Sequence, residues 1–254
     1  MTIEFRREGK VGIYTINNPS TMNALDNCTL NDIQEHLIDF NKDPDLWVGI
    51  ITGKGEKAFC SGFDIGEFSK TRCSADQPTG IANPMRELEI SKPLIAAVNG
   101  AALGGGLELM LICDLRIASD KAVFGFPEVK IGLIPGWSGT QLLSRQVTLC
   151  QAAELLFTGE NIDTQTALRF GLINRIVPQE QVLQSAIFLA ESICRSAPLA
   201  VQAAKEALLK GRQVSFKEGL QIEDALNIYL KTTGDFKEGI ESFQAKRQPR
   251  FKGN

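Results

Sequence analysis

The stretch GAALGGGLELMLICDL, Gly100 to Leu115, decides how the rest of the chain is interpreted. Three consecutive glycines, Gly104 to Gly106, run into an apolar helical pattern that carries a carboxylate, Glu108, near its start. The first N–H groups of a helix have no intrahelical acceptor, and the helix dipole adds positive potential there. Glycine also lets a ligand approach the backbone closely. The pattern favours either an oxyanion site of main-chain N–H groups or close packing of helix on strand, and spacing alone leaves both open.

Alternating strand and helix patterns surround this stretch. NNPSTMNAL is a turn cluster that predicts Ser20 or Thr21 as the cap of a helix running through Phe40. Helical periodicity dominates from Gln141 onward, whereas strands concentrate earlier, with a recurring β-β-α order. We therefore predict an α/β fold with a parallel-containing sheet and a helical C-terminal region. The clearest predicted strands are Lys10 to Ile16, Leu46 to Gly53 and Lys92 to Gly100, and short strands and turns are expected over Leu115 to Leu133.

Composition excludes several classes of protein. A net charge of −3 gives no basic footprint for nucleic acid or an acidic membrane. The six cysteines include no CxxC pair, which argues against zinc ligation and a disulfide framework, so we expect reduced core thiols. The N-terminus begins in strand-like sequence without a targeting pattern, and every apolar stretch is too short for a membrane span. A soluble, cytoplasmic protein without nucleic-acid or membrane partners is expected.

A single histidine narrows the chemistry further. His36 lies within an amphipathic helical run and is interpreted as a helix-surface or interface residue. A Ser-His-Asp triad, a Cys-His dyad and a multi-histidine metal site are then all excluded. The glycine-rich stretches GKGEKAFCSG and GAALGGGLE match neither a P-loop nor a dinucleotide fingerprint. Carboxylates, backbone amides, Lys, Tyr or Cys must carry the chemistry, and no metal site is predicted.

Three long blocks carry a family resemblance. AFCSGFDI (58–65), KPLIAAVNGAALGGGLELMLICDLRIAS (92–119) and FGFPEVKIGLIPGWSGTQLLSR (124–145) together resemble the crotonase superfamily, and enoyl-CoA hydratases in particular. The resemblance extends from NNPSTMNAL through ALRFGLINRIVP to FQAKRQPRFKG. It implies a crotonase-like spiral of ββα units over 1–195 and a helical C-terminal region over 196–254 that drives trimerisation. A homo-trimer, or a hexamer made as a dimer of trimers, is typical of the family.

The resemblance also implies a substrate and a site. The substrate is an acyl-CoA thioester, so no separate cofactor is needed, and fatty-acid β-oxidation is the usual role. The oxyanion hole maps onto the backbone N–H groups of Phe63 and Gly105. The two hydratase glutamates match Glu108 and Glu128. Further substrate and CoA contacts are expected from the following residues: Ala58, Phe63, Asp64, Ile65, Gly105, Trp137, Phe243 and Lys246, of which Lys246 could equally be one charge of a solvated basic tail.

Two carboxyl groups fit the addition of water across a C2–C3 double bond. We assign Glu128 as the principal acid/base with a raised pKa, and Glu108, in the first helical turn, as the partner that orients and activates water. One group must deprotonate water at C3 and an acid must deliver a proton to C2, although the two could share both tasks through one water.

Two departures from the family pattern concern the substrate. Trp137 stands where small residues are usual, and it could reshape the acyl pocket or pack outward. Gly66 replaces a usual basic residue. A double-bond isomerase, a specialised dehydratase or a decarboxylase of the same fold is the alternative to a hydratase. A non-catalytic or RNA-binding relative is disfavoured by the acidic balance and by the presence of both glutamates.

Overall fold

Strands of two sheets fill the first part of the chain in the computed structural model, which describes residues 2–64, 66 and 88–254. The larger sheet has the order β1-β2-β3-β5-β7-β10, in which β1 and β2 are antiparallel and the remaining neighbours are parallel. Its strands are β1 Ile3–Glu8, β2 Val11–Ile16, β3 Val48–Gly53, β5 Leu94–Val98, β7 Leu115–Ser119 and β10 Arg175–Val177. The smaller sheet has the order β4-β6-β8-β9, with strands β4 Ala58–Cys60, β6 Ala101–Leu103, β8 Val123–Gly125 and β9 Ile162–Asp163.

Successive strand pairs divide between the two sheets. β3, β5 and β7 enter the larger sheet, while the strand that follows each of them, β4, β6 or β8, enters the smaller one. The pair β5 and β6 is completed by helix α2, Gly105–Ile112, which packs against both sheets. This repeated two-strand unit confirms the predicted α/β class and the β-β-α recurrence. Because β4 and β6 are parallel neighbours, the chain segments that leave them emerge at the same edge of the smaller sheet.

Helices cover the sheets and dominate the last third, as the periodicity indicated. They are α1 Asn27–Lys42, α3 Gly139–Gln146, α4 Leu149–Thr158, α5 Thr164–Arg169, α6 Val182–Cys194, α7 Pro198–Gly211, α8 Phe216–Leu230 and α9 Gly234–Gln244, with 3₁₀ turns at Pro19–Thr21, Pro127–Ile131 and Gln179–Gln181. The boundary predicted at 195/196 falls in the turn between α6 and α7. The division of the chain into two units stays a prediction.

The start predicted for the first helix was wrong. Neither Ser20 nor Thr21 caps it, because α1 begins only at Asn27, where Oδ1 of Asp26 accepts a hydrogen bond from Thr29 N at 2.7 Å. The preceding residues instead form a 3₁₀ turn followed by left-handed residues. The buried side chain of Asn23 explains this path, since its amide donates to two carbonyls of the β3–β4 connection and holds the segment against it.

Only some of the cysteines are buried, although the sequence predicted core thiols. Cys60 and Cys113 are buried, and burial raises the pKa of each thiol to about 12, so both stay protonated. Cys28 and Cys150 are exposed, which the expectation of core thiols missed, and Cys73 lies outside the described residues. His36 is half-buried on α1 and its ring stacks on Phe5, as a helix-surface residue would. Within the described residues, no helix combines the length and apolar character needed to cross a membrane.

Candidate active site

Glu108 is a buried carboxylate at the start of an apolar helix. It lies in the first turn of α2 and is only 1% exposed. Its Oε1 accepts two backbone hydrogen bonds, from the N–H groups of Trp137 and Gly139, each at 2.6 Å. Hydrogen bonds from N–H groups favour the charged form of a carboxyl group, and so does the dipole of α2. The Glu108 carboxyl is therefore held in one orientation by two backbone N–H groups.

Glu128 sits in a contrasting environment. It follows Pro127 at the start of a 3₁₀ turn, and its Oε2 is buried without a hydrogen-bond partner among the described residues. Burial raises the pKa of Glu128 above the ordinary carboxyl value, in the direction predicted from the sequence. A buried carboxyl oxygen that accepts no hydrogen bond from the described residues suits a group that holds a proton until a reactant takes it.

The turn at Gly104 lies between Glu128 and the helix that carries Glu108. Gly104 has φ 52° and ψ −126°, a conformation that only glycine adopts readily, and a Cβ there would lie 3.0 Å from Oε1 of Glu128. Gly104 N donates to the carbonyl of Gly125, which ties the turn to β8. Gly105 then opens α2, and in the described part of the chain its N–H donates no hydrogen bond. Glu128 and the helix that carries Glu108 thus flank an N–H group available to a ligand.

A second loop reaches the same place from β4. Leu25 N donates to Gly62 O, and Asp64 N donates to Leu25 O, so the N–H of Phe63 between them faces away from Leu25. A Cβ on Gly62 would lie 3.3 Å from Gly105 N, so the two loops are in backbone contact. Gly106 packs on the carbonyl of Cys60, where any Cβ would collide. The glycine run thus serves close packing of helix on strand, and the oxyanion role of its N–H groups stays a prediction.

Trp137 packs inward, which settles the alternative left open by the sequence. It is 4% exposed, and its ring meets that of Phe63 edge-on with centroids 4.0 Å apart. The position of a Cβ on Gly105 lies 3.5 Å from Cζ3 of Trp137 and 3.3 Å from Cδ2 of Phe63. Two aromatic rings therefore form a wall beside the Gly105 amide.

Three other residues were predicted to contact the substrate or CoA, and their roles stay predictions. Ala58 is buried in β4, and its carbonyl accepts from the side chains of Asn23 and Asn99. Asp64 caps its own loop, since Oδ1 accepts from Gly66 N at 2.8 Å. Ile65 lies outside the described residues.

The two C-terminal candidates stand apart from this group. Phe243 is 82% exposed at the end of α9, and Lys246 is exposed just beyond it. Among the described residues, neither makes a hydrogen bond or ion pair with the segment that carries the glutamates. Both roles stay predictions.

Sequence reasoning missed the residues that orient this site. Ser138 lies between the two N–H donors to Glu108 and has a left-handed backbone, with φ 90°. A Cβ on Gly139 would lie 2.8 Å from Oε1 of Glu108, which explains the glycine. The signal for this turn was the pair Ser138 and Gly139 in IPGWSG, because small residues before a helix permit an unusual turn. Asn99 was also missed, although a buried Asn after an apolar strand signals a loop held by its amide.

Comparison with known proteins identifies the family. A sequence model described as Enoyl-CoA hydratase/isomerase matches residues 6–254. The chain belongs to this family. The predicted membership of the crotonase superfamily is thereby confirmed.

Close relatives of the family match almost end to end. A short-chain-enoyl-CoA hydratase from Clostridium acetobutylicum is 40% identical over 245 residues, covering 95% of this chain and 94% of that protein. An (E)-benzylidenesuccinyl-CoA hydratase from Thauera aromatica is 39% identical and covers 100% of both chains. The crystal structure of an enoyl-CoA hydratase from Bacillus anthracis superimposes with a TM-score of 0.95 at 36% identity, covering 100% of both chains. The fold of the family therefore extends over the whole chain.

Proposed function

We propose that the chain is an enoyl-CoA hydratase, which adds water reversibly across the C2–C3 double bond of a trans-2-enoyl-CoA. The observation that carries this proposal is the pairing of a buried acid, Glu108, and a half-buried acid, Glu128, around one glycine turn. Oε1 of Glu108 is held by two N–H groups, whereas Oε2 of Glu128 is buried and unsatisfied. Hydration needs both a base for water and an acid for carbon, and the two environments supply one of each.

The thioester carbonyl binds the N–H groups of Phe63 and Gly105. Negative charge develops on this oxygen when water attacks C3, and a preorganised N–H donor stabilises such an oxyanion by about 2.7–4 kcal/mol. The backbone contact between Gly62 and Gly105 supports this assignment, because it brings the two loops close enough for one oxygen to meet both. Neither donor depends on its side chain.

The two acids then carry the proton transfers. The Glu108 carboxylate takes a proton from water as its oxygen bonds to C3, and the π electrons move toward the carbonyl to give an enolate. Glu128 gives its proton to C2, and the enolate returns to a thioester. Glu108 is then protonated and Glu128 ionised, so a proton must pass from the first to the second through water before the next turnover. Water, one acid and one base complete the reaction, and no cofactor takes part.

A short enoyl group is the preferred substrate in this proposal. The wall formed by Phe63 and Trp137 crowds the space beside Gly105, and one relative of similar length is named a short-chain enzyme. The rest of the CoA extends along Ala58, Asp64 and Ile65 toward Phe243 and Lys246. A place in β-oxidation is consistent with this chemistry.

Exposed apolar side chains on the last three helices support a homo-trimer or a hexamer. Large apolar side chains left exposed in such number are typical of an interface between subunits. The side chains concerned are Leu208, Phe216, Ile228, Tyr229, Ile240 and Phe243, each between 47% and 84% exposed. The described cysteines are free thiols, which favours a reducing compartment such as the cytoplasm. Light scattering on the purified chain would establish the assembly.

The deciding experiment is a direct assay with crotonyl-CoA. Hydration removes the ultraviolet absorbance of the conjugated enoyl thioester, and 3-hydroxybutyryl-CoA appears as the product. Binding of crotonyl-CoA without loss of absorbance would contradict the proposal. Conversion of a 3-enoyl-CoA to its 2-enoyl isomer, without hydration, would instead identify a double-bond isomerase.

A further inference from the structure

The backbone of Ser138 has an unfavourable conformation, and the residue lies beside the carboxylate of Glu108. Its φ of 90° and ψ of 5° put it in the left-handed region, which residues other than glycine seldom occupy. The residue immediately precedes α3 and lies between Trp137 and Gly139, the two N–H donors to Glu108. Such strain persists only where the surroundings enforce it, and it concentrates at functional sites.

The hydroxyl of Ser138 does not cap helix α3, although the backbone carbonyl of Ser138 accepts from Gln141 N at 2.9 Å and from Leu142 N at 2.7 Å. A serine at this position usually has an extended backbone and accepts a hydrogen bond from the helix through its hydroxyl. Here the backbone is left-handed, the hydroxyl caps nothing, and no described residue is hydrogen-bonded to it. The serine therefore lacks the role that its position in the sequence suggests.

The conformation does serve Glu108. A left-handed residue in a turn directs neighbouring N–H groups to one side, which creates a concave anion site. The N–H groups of Trp137 and Gly139 both donate to Oε1 of Glu108 at 2.6 Å. Gly139 is also the first residue of α3, so the positive end of that helix dipole faces the carboxylate.

We propose that Ser138 is a positioning residue, whose left-handed backbone orients the two N–H groups that hold the Glu108 carboxylate in its reactive orientation. The inference rests on the proposed hydratase function. The side-chain hydroxyl has no part in it, so the nature of the side chain matters only through the backbone that it permits.

A graded series at position 138 tests this proposal with crotonyl-CoA. Glycine adopts the left-handed turn freely, alanine resembles serine without the hydroxyl, and β-branched threonine and valine resist the turn. We expect Ser138→Gly and Ser138→Ala to retain kcat within about threefold, whereas Ser138→Val lowers kcat about 100-fold with little change in KM, as for loss of a transition-state interaction. Ser138→Thr should fall between them, and it carries the test if Ser138→Val does not fold.

Ser144 offers a matched control, because it lies in the same helix with ordinary helical backbone. Ser144→Val should keep kcat within about twofold, as expected for a substitution away from the site. Full activity of Ser138→Val and Ser138→Thr would overturn the inference. So would equal loss of activity in Ser138→Gly, Ser138→Ala and Ser138→Val, since that result would assign the role to the hydroxyl.

Hydrogen-exchange mass spectrometry separates this inference from the proposed function. A peptide covering 135–140 should exchange slowly in the wild type and in Ser138→Gly, and faster in Ser138→Val and Glu108→Ala. Unchanged exchange in both of the latter variants would overturn the inference even for an active enzyme. Failure of the wild type to hydrate crotonyl-CoA, with the exchange pattern intact, would reject only the hydratase proposal.

Discussion

Gly104 and Glu128 lie in direct apposition: a Cβ on Gly104 would lie 3.0 Å from Oε1 of Glu128. The absence of a side chain at one residue therefore makes room for the carboxyl group of the other. The same glycine immediately precedes α2, whose first N–H is assigned to the thioester carbonyl and whose first turn carries Glu108. One turn thus determines where both acids stand relative to the N–H of Gly105.

Replacing Gly104 by alanine should damage stability and turnover together. The left-handed φ of 52° would strain the new side chain by about 1–3 kcal/mol, and the methyl group would push the Glu128 carboxyl aside. We expect a lower Tm and a kcat reduced at least about tenfold, because displacing a catalytic group weakens its proton transfer. Gly211→Ala is the matched control, since a Cβ there meets nothing within 4 Å. Equal activity of the two variants would refute the proposed contact.

Replacing either glutamate by glutamine should abolish most hydration without preventing binding. Positioned acid–base groups typically contribute about 10²–10⁴-fold to the rate, and the N–H groups that hold the thioester remain in place. Turnover of crotonyl-CoA and the Kd of a non-reactive butyryl-CoA should be measured in Glu108→Gln and Glu128→Gln. Near-normal turnover in both single variants would remove the mechanism.

Glu128 should make hydration sensitive to high pH. It must be protonated to deliver a proton to C2, and burial raises its pKa. Hydration should therefore be lost as the pH rises through this raised value. A pH profile of kcat for crotonyl-CoA would reveal it, and a profile whose basic limb is unchanged in Glu128→Asp would speak against this assignment.

The contribution of the same residue to stability should be more favourable in acid than at neutral pH. At low pH the carboxyl is protonated in both states, and as pH rises the unfolded chain ionises first, so stability falls until the raised folded pKa is passed. Glu128→Gln has no carboxyl group at this position to ionise, so it does not lose stability in this way. Its Tm should exceed that of the wild type at neutral pH and match it near about pH 4, where the ordinary carboxyl begins to titrate. Thermal melts at the two pH values provide the comparison.

Trp137 should restrict the acyl group. Its ring and that of Phe63 stand beside Gly105, so Trp137→Leu should open space there and raise the ratio of kcat/KM for octenoyl-CoA to that for crotonyl-CoA. We expect a change of about tenfold or more, the usual effect of altering an apolar pocket by a methylene group or more. Trp47→Leu, at the other buried tryptophan, controls for general loss of packing. An unaltered ratio would show that the ring does not face the acyl chain.

Asn99 should hold the loop that leads to β4. Its Oδ1 accepts from Gly53 N at 3.0 Å, and its Nδ2 donates to Gly55 O at 2.7 Å and to Ala58 O at 3.0 Å. Asn99→Ala would leave the buried N–H of Gly53 without its partner, at a cost of about 1–3 kcal/mol. Urea denaturation should show this loss, whereas Ser91→Ala, at an exposed residue, should leave the midpoint close to that of the wild type. An unchanged midpoint in Asn99→Ala would contradict this role.

The fold class and the place of Glu108 were accessible to sequence reasoning because they depend on local patterns, whereas the pairing of Glu108 with Glu128 was implied by the family resemblance. Strands such as Lys92 to Gly100 are continuous apolar runs, and Glu108 could be placed in a first helical turn by counting from the glycines. The start of α1 was missed because a buried amide from Asn23, 31 residues away from its partner Lys54 in the chain, overrides a plausible local cap. Such a long-range bond leaves no periodic signal.

The orientation of the Trp137 ring and of the Ser138 backbone could not be predicted from local sequence patterns. Whether Trp137 packs inward depends on the ring of Phe63, which belongs to the loop after β4, far away in the sequence. The left-handed backbone of Ser138 depends on Glu108 across the fold, and local propensity would have assigned a capping serine. Both features arise from contacts between segments that are far apart in the sequence.

The backbone contacts of Gly62 with Gly105 and of Gly106 with Cys60 separate the two tasks of this protein. In the proposed mechanism, recognition of the thioester is built into the main chain, where point substitutions seldom reach, while reactivity resides in two side chains that single codon changes can replace. Such a division of labour makes the scaffold evolvable, because an exchanged acid can change the reaction while the main-chain thioester site survives.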